Sequence, residues 1–143
     1  MKVVINGCYG GFSLSKEGMQ RYCDIKNIPC WIEEDTKFKT MGIFTVWTTP
    51  PEKRIESREG EDFYKLSQEE RIAYNKQYSE QTICNRDIAR DDPALVQLVE
   101  ENAELYGGRC SQLEVVDIPD DVEWQIEEYD GNEWVAEKHR TWS

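Results

Sequence analysis

DDPALVQLVEENAELYGG, residues 91–108, is the stretch that most strongly indicates a regular element, a long helix. An acidic N-cap and Pro93 in the first turn begin the helix, because both residue types suit a helix start. Apolar side chains then recur at helical spacing, and Gly107-Gly108 ends the helix as its C-cap. The apolar positions are Leu95, Val96, Leu98, Val99, Ala103 and Leu105. A helix with such an apolar face must be buried on one side, and we expect it to cover a sheet.

The segment after this helix is predicted to be β structure. LEVVDI at 113–118 indicates a strand that Pro119 ends, because proline cannot donate to a strand ladder. Apolar and polar residues then alternate in VEWQI at 122–126. Asp130-Gly131 tolerates positive φ and separates that run from EWVAE at 133–137. This pattern predicts a C-terminal β-hairpin.

The segment that opens the chain predicts a strand, a glycine turn and a helix. KVVIN at 2–6 is a short apolar run, and GCYGGF at 7–12 follows it. Ser15 suits the N-cap of a helix that ends before Pro29.

The middle of the chain gives weaker signals. IFTVWTT at 43–49 predicts a strand that Pro50-Pro51 ends. Residues 52–62 are mostly charged and indicate a solvated loop. SQEE at 67–70 has the capping-box pattern, so a short polar helix is predicted to run from there towards Ser79.

Taken together, the predicted elements define an α+β fold with a mixed β-sheet, helices packed on one face and a C-terminal β-hairpin. The 143 residues suit a single domain, 1–143, and 38% of them are hydrophobic, which is enough for one core. No apolar run approaches the length of a transmembrane helix, and the Met-Lys-Val-Val start lacks the apolar core of a signal peptide. We therefore expect a cytoplasmic protein.

The charge is strongly negative. There are 29 acidic and 17 basic side chains, a formal net charge of −12 at pH 7. This argues against nucleic acid as a partner, because each phosphate contact would be made against an unfavourable field. The negative net charge does not exclude a small phosphate ligand in one local site.

The cysteine and histidine content argues against a metal centre. The five cysteines have none of the short paired spacings of a zinc or redox motif, so we expect them to be reduced. They are Cys8, Cys23, Cys30, Cys84 and Cys110. One histidine, His139, is too few for a His-rich site or a catalytic triad. We expect no metal, no cofactor and no catalytic residue; a hydrolase built on Cys8 is the enzymatic alternative.

The glycine turn is the first candidate site. Backbone amides of Gly10 and Gly11, between a strand and a helix, can point at an anion near the positive end of the helix dipole. Tyr9 and Phe12 can add a stacking surface. The alternative is a tight turn that needs positive φ and close packing between helix and strand.

Cationic side chains form the other candidate contacts. His139, Arg140 and Trp142 combine donors with an aromatic plane that can clamp a phosphate and stack a base. The alternative interpretation is that these residues form a chain end whose positive charges neutralise nearby acids. Three further arginines suit bidentate binding of phosphate, or else salt bridges to neighbouring acids. These arginines are Arg86, Arg90 and Arg109, and the acids beside the first two are Asp87, Asp91 and Asp92.

Residues 113–137 contain ten acids and neither lysine nor arginine. The exposed side of the hairpin is therefore predicted to be strongly negative, with Glu127, Glu128 and Glu133 on it. The acids of the hairpin lack the spacing of a calcium loop, so a solvated face is the expectation rather than a metal site.

Two resemblances add a biological setting. The chain resembles a family of small acidic accessory proteins of tailed bacteriophages, over about half of its length. The segments that carry this resemblance are 5–15, 92–96, 120–124 and 129–142. Residues 30–80 look like a variable insertion by comparison. In size, acidity and α/β content the chain is also similar to phage Thoeris anti-defence proteins, which sequester cyclic ADP-ribose signals as oligomers without cleaving them.

These resemblances imply a phage-encoded host-interaction or anti-defence protein, a homo-oligomer in the host cytoplasm, with no membrane partner. The leading hypothesis is a non-catalytic protein that binds and sequesters a small nucleotide-like phosphate ligand. Its candidate contacts are Tyr9, Gly10, Gly11, Phe12, Arg86, Arg90, Arg109, His139, Arg140 and Trp142. The alternative is an acidic, nucleic-acid-mimicking inhibitor that uses the hairpin to bind a basic host protein.

Overall fold

The computed structural model describes residues 1–34, 43–56 and 61–138. The chain divides into two compact units. The terminal unit combines Met1–Asn27 with Asn85–Ser143, and the central unit is Ile28–Cys84.

The described residues form four α-helices and seven strands, in an α+β fold. In chain order these are β1 Lys2–Asn6, α1 Lys16–Lys26, β2 Trp31–Glu34, β3 Phe44–Trp47, α2 Glu61–Tyr64, α3 Gln68–Gln81, β4 Thr82–Ile83, α4 Pro93–Tyr106, β5 Leu113–Asp117, β6 Trp124–Tyr129 and β7 Asn132–Glu137. The predicted α+β class and the predicted C-terminal hairpin are confirmed. Every strand pairing within the described ranges is antiparallel, and the strands belong to three sheets, β1–β5, β2–β3–β4 and β6–β7.

The terminal unit is built around α4, as its sequence predicts. α4 packs against β1, β5 and α1, and β7 packs against β1. The buried positions of α4 are Ala94, Leu95, Val96, Leu98 and Val99. The elements that α4 packs against are also buried, at Val3, Val4 and Ile5 of β1 and at Met19, Tyr22 and Cys23 of α1. Burial of each large aliphatic side chain contributes about 1.5–3 kcal/mol.

Local capping fixes the ends of the helices where the sequence predicts. Ser15 Oγ accepts a hydrogen bond from the Gly18 amide at 3.0 Å and caps α1. Asp92 Oδ1 accepts from the Ala94 amide at 2.9 Å and caps α4, and Gly107 follows its last residue. One departure is Asn102, whose backbone is not helical, so α4 is broken one turn before its end.

The hairpin β6–β7 has a two-residue turn. Asp130 has φ of 50° and Gly131 has φ of 88°, the conformation that the Asp-Gly pair predicts. The register runs from Trp124 opposite Glu137 to Tyr129 opposite Asn132.

The central unit has a small core. Among its described residues only Val46 and Trp47 are buried apolar side chains. The predicted capping box of α3 is confirmed, since Ser67 and Glu70 exchange hydrogen bonds between side chain and backbone. Three short elements, β2, β4 and α2, are absent from the sequence prediction. α2 begins at Glu61, inside the segment expected to be a loop, and residues 57–60 of that segment lie outside the described residues.

No helix in the described part of the chain is long and apolar enough to cross a membrane. The variability of an insertion around 30–80 stays a prediction.

Candidate functional site

The register of the hairpin sorts its side chains onto two faces. Directly opposed residues of an antiparallel pair share a face, and successive residues of a strand alternate. The face that carries Glu133 is turned to the interior, because Glu133 is buried. The other face, called here the outer face, consists of Gln125, Glu127, Tyr129, Asn132, Trp134 and Ala136.

The outer face presents two accessible aromatic rings around one carboxylate. Tyr129 is 73% exposed and Trp134 is 44% exposed. Glu127 Oε1 accepts a hydrogen bond from Gln125 Nε2, and Glu127 Oε2 accepts one from Trp134 Nε1, each at 3.1 Å. These two bonds orient the Glu127 carboxylate beside the indole ring, so the face has a fixed anionic acceptor next to a large apolar surface.

Acidic side chains are frequent in the segment that contains the hairpin. Of the ten acids in residues 113–137, eight are exposed and Glu127 is half-buried. The exposed ones are Glu114, Asp117, Asp120, Asp121, Glu123, Glu128, Asp130 and Glu137. Because no lysine or arginine occurs in the same segment, the exposed part of the hairpin is negative, as predicted. By register Glu128 and Glu137 lie on the face of Glu133, and Asp117 and Asp120 lie beside the N-terminal ammonium.

Glu133 does not belong to that surface, and its predicted exposure is wrong. Its carboxylate accepts two hydrogen bonds from Arg90, from Nη1 at 2.6 Å and from Nη2 at 2.9 Å. It also accepts a hydrogen bond from the backbone N–H of Asn6 at 2.8 Å. The pairing register explains the difference, since it turns Glu133 away from Tyr129 and Trp134 and into the unit.

Arg90 is correspondingly engaged inside the terminal unit. Besides Glu133, it donates to the Val4 carbonyl at 3.3 Å, and its guanidinium lies 3.6 Å from the centre of the Phe12 ring. The structure therefore brings together two predicted contacts, Phe12 and Arg90, in an internal cluster. Arg90 therefore forms a salt bridge, as the alternative interpretation of the arginines expects, but its partner is Glu133 instead of a neighbouring aspartate.

Asp92, one of those aspartates, pairs instead with α1. Its Oδ2 lies 2.8 Å from Lys26 Nζ and accepts from the Tyr22 hydroxyl at 2.8 Å. Burial by itself raises the pKa of Asp92, but the bonds from Lys26, Tyr22 and the Ala94 amide together hold that pKa below its usual value.

The glycine turn is packed closely against other backbone. The Gly7 amide donates to the Gln112 carbonyl at 2.8 Å. A Cβ at Gly10 would lie 1.6 Å from the Cys110 carbonyl oxygen, and Gly11 has φ of 115°. A Cβ at Gly131 of the hairpin turn would lie 2.9 Å from the Gly11 nitrogen. These approaches account for the glycines by packing and positive φ, as the alternative interpretation of the turn expects.

Asn6 holds this turn to the hairpin. Its buried side chain donates from Nδ2 to the carbonyls of Cys8 and Gly131, each at 2.8 Å. Its Oδ1 accepts from the Gln112 amide at 2.7 Å. Sequence reasoning does not identify Asn6, because the residues that it joins are far apart in the chain.

The other predicted contacts are dispersed or lie elsewhere. Tyr9 is 66% exposed beside the glycine turn, and Arg86 and Arg109 are exposed. His139, Arg140 and Trp142 lie outside the described residues. Convergence of the glycine turn with the C-terminal cations therefore stays a prediction.

A row of aromatic rings in the central unit is a feature that sequence reasoning missed. Neighbouring ring centres are 5.5 Å apart for Trp47 and Tyr78, 6.4 Å for Tyr78 and Tyr74, and 5.9 Å for Tyr74 and Phe63. Arginines lie at its ends, with Arg54 4.7 Å from the Trp47 ring and Arg71 5.7 Å from the Phe63 ring. The members of this aromatic row are Trp47, Arg54, Phe63, Arg71, Tyr74 and Tyr78. The helical spacing of positions 71, 74 and 78 is the signal that points to it.

The arginines of the aromatic row have incomplete hydrogen bonding. The Arg54 side chain is 8% exposed, donates to Glu33 at 2.5 Å and to the Thr49 carbonyl at 3.0 Å, and leaves Nη2 without a partner among the described residues. Arg71 Nε is also buried without a described partner. Such donors are uncommon in native structures and can be satisfied by an ordered water.

An open groove of about 610 Å³ lies beside the start of α4. Its charged side chains are largely paired, since Lys2 lies 3.1 Å from Glu100 and Arg21 bonds Glu101 at 2.7 and 2.8 Å. Within the described ranges, no group of three or more His, Cys, Asp or Glu side chains is arranged to hold a metal.

No protein-family model, curated protein or solved structure matches this chain. The resemblance to phage proteins accordingly stays a prediction, and the candidate functions depend on the geometry of the outer face and of the aromatic row.

Proposed function

We propose that this protein binds a basic region of a partner protein through the outer face of the hairpin and acts as an acidic inhibitor. The observation that carries the proposal is the pair of exposed rings, Tyr129 and Trp134, around the oriented Glu127 carboxylate on a strongly acidic hairpin. In the setting that the phage resemblance implies, the partner is a host protein.

The two parts of this surface have different physical roles. The acids accelerate encounter with a basic partner and disfavour acidic ones, an effect that falls as salt is added. The aromatic rings supply the affinity, because tryptophan and tyrosine are the residues that most often dominate interface energies. Glu127 can accept a hydrogen bond from an arginine or lysine of the partner without first losing side-chain freedom.

The experiment is capture of host proteins from a bacterial lysate on the immobilised protein, with charge-matched variants. Glu123→Lys and Glu127→Lys together form the hairpin variant, since the register puts both side chains on the outer face. Glu52→Lys and Glu69→Lys together form the control variant, which changes net charge equally at exposed sites of the central unit. We expect the wild type and the control variant to retain a basic protein from the lysate. The hairpin variant should not retain that protein. Equal loss from both variants would mean that net charge alone attracts the partner.

A second candidate function is the sequestration of a planar, nucleotide-like phosphate ligand by the aromatic row. The aromatic rings with Arg54 and Arg71 at the two ends of the row favour it over the predicted site, where Arg90 is already engaged. Calorimetry with cyclic nucleotides and ADP-ribose isomers tests it. Binding should be lost in Arg71→Gln and kept in Ile72→Ala, which alters an exposed neighbour on the same helix. Recovery of unchanged ligand by mass spectrometry would distinguish sequestration from cleavage.

A further inference from the structure

We propose that Cys8 and Cys110 form an intramolecular disulfide when the protein is exposed to a hydroperoxide. The inference concerns the terminal unit alone and does not depend on either proposed function.

The two cysteines are close in the folded chain. The Cys8 sulfur lies 3.4 Å from the Cys110 carbonyl oxygen and 3.4 Å from Asn6 Oδ1. Since the carbonyl oxygen and Cα of one residue are about 2.4 Å apart, Cα of Cys110 lies within about 6 Å of the Cys8 sulfur. A Cβ built on Gly10, two residues from Cys8, would lie 3.0 Å from Cβ of Cys110. A disulfide needs Cα atoms about 4.4–6.8 Å apart, so its formation requires the exposed loop at Cys110 to move until the two sulfurs meet.

The fold creates this proximity, because the residues are 102 positions apart in the sequence. β1 and β5 are antiparallel, and the bond from the Gly7 amide to the Gln112 carbonyl continues their ladder beyond Asn6 and Leu113. The chain segments that leave the sheet therefore run side by side at Cys8 and Cys110. Gly10, with no Cβ, allows the two backbones to approach.

The two thiols also differ in access in a way that suits stepwise oxidation. Cys110 is exposed and Cys8 is half-buried beside it. Of the remaining cysteines, Cys23 is buried in the core, and Cys30 and Cys84 belong to the central unit.

The reaction is balanced with one hydroperoxide per disulfide. The Cys110 sulfur attacks one peroxide oxygen, the O–O bond breaks, and a sulfenic acid forms with release of one water or alcohol. The Cys8 sulfur then attacks the Cys110 sulfur, the S–S bond forms, and the S–O bond breaks with release of water. The two thiol protons leave in these two products, the two sulfurs are oxidised and the peroxide is reduced.

The disulfide would join the glycine turn to the loop between α4 and β5. The turn of the hairpin rests on this same region, since the Gly131 carbonyl accepts from Asn6 Nδ2 and Gly131 approaches Gly11. Closing a loop of this length restricts the unfolded chain, so the oxidised protein should be the more stable form.

The test is treatment of the full-length protein with hydrogen peroxide, followed by alkylation, tryptic digestion and mass spectrometry. We expect monomeric protein lighter by two hydrogen atoms, with peptides 3–16 and 110–138 linked and separable by dithiothreitol. The midpoint of urea unfolding should rise on oxidation. Cys84→Ser should behave like the wild type, and Cys110→Ser, at an exposed position, should lose both the link and the rise.

Two results would overturn the proposal. One is oxidation of Cys110 to sulfinic acid while Cys8 remains alkylatable. The other is a link that joins either residue to a different cysteine or to a second chain. Neither result bears on capture of a partner by the hairpin, so failure here is distinguishable from failure of the proposed function.

Discussion

At the residue scale, Glu133 and Arg90 connect the hairpin to the rest of the terminal unit. Each carboxylate oxygen of Glu133 receives a guanidinium N–H, and the Asn6 amide adds a third bond. A buried ion pair costs desolvation to form, but removing one partner leaves the other charge without compensation. These contacts therefore matter for stability, whereas the accessible acids of the same hairpin remain available for binding.

Glu133→Gln is expected to lower the free energy of unfolding by about 3 kcal/mol, because Arg90 then remains largely buried without its counter-charge. Urea denaturation measures the change. The double variant Arg90→Met, Glu133→Leu should recover part of the loss, since it removes both charges. A loss under about 1 kcal/mol in Glu133→Gln would place this pair with ordinary surface salt bridges.

Asp92 gives a pH-dependent contribution whose sign follows from its lowered pKa. A carboxyl with a lower pKa in the folded state stabilises the protein above its unfolded pKa, and that stabilisation is lost as pH falls through the folded pKa. Asp92→Asn keeps an N-cap oxygen and removes the titration. The stability difference between wild type and Asp92→Asn should therefore be largest above about pH 5 and shrink below about pH 4.

Asp92→Ala is the control for capping. It should cost about 1 kcal/mol more than Asp92→Asn at every pH, because alanine cannot accept the Ala94 amide. Urea midpoints measured from pH 3 to 7 test both statements. A difference between wild type and Asp92→Asn that grows towards low pH would contradict the assigned sign.

At the scale of elements, the glycine turn shows a structural use of residues whose pattern also suits anion binding. The close approach of Gly10 to Cys110 and the positive φ of Gly11 each require glycine for a different reason. Substitution at the two positions separates a steric collision from backbone strain.

Gly10→Ala is expected to destabilise the protein by about 2–3 kcal/mol, because its Cβ collides with backbone that must shift. Gly11→Ala meets nothing within 4 Å and should cost about 1 kcal/mol through its φ alone. Thermal unfolding of the two variants measures which substitution lowers the stability more. A larger loss of stability in Gly11→Ala than in Gly10→Ala would mean that the loop relaxes freely around Gly10.

Elements fixed by local interactions were predictable from the sequence. The caps at Ser15, Ser67 and Asp92 each bond an amide two or three residues away, and the turn at Asp130-Gly131 needs only its own φ angles. The short strands β2 and β4 were not predictable from the sequence. Half of the residues of β2 are glutamates and β4 has only two residues, so each becomes a strand by pairing with β3.

The site was predictable in part. Exposed acids in the hairpin follow from composition, but the face on which each lies depends on register. Glu133 bonds Arg90, 43 residues away, and Asn6 bonds Gly131, 125 residues away. No local pattern reports contacts of such separation, so the sequence predicts an exposed Glu133 and does not indicate the role of Asn6.

At the scale of the whole molecule, the two units differ in charge and in core. The central unit, residues 28–84, has eleven acidic and eight basic side chains, a net charge of −3, which leaves −9 for the terminal unit. The terminal unit also contains most of the buried apolar side chains that the structure describes. The hairpin thus belongs to the more acidic unit, and that unit has the larger core.

Hydrogen exchange should reflect the difference in cores. α3 has no buried side chain, whereas five residues of α4 are buried. Amides of α3 in the full chain are therefore expected to exchange well before those of α4, because opening α3 exposes little apolar surface. Mass spectrometry of deuterated peptides measures this, and equal protection of the two helices would contradict it.

The most direct test of binding through the outer face is the affinity for the captured partner, measured at two salt concentrations. We predict that Trp134→Ala weakens binding at least tenfold with little change in salt dependence, since it removes an anchor and no charge. The hairpin variant should lose both affinity and salt dependence, while the control variant at Glu52 and Glu69 keeps them. Unchanged affinity in Trp134→Ala together with equal weakening by the hairpin and control variants would contradict binding through this face.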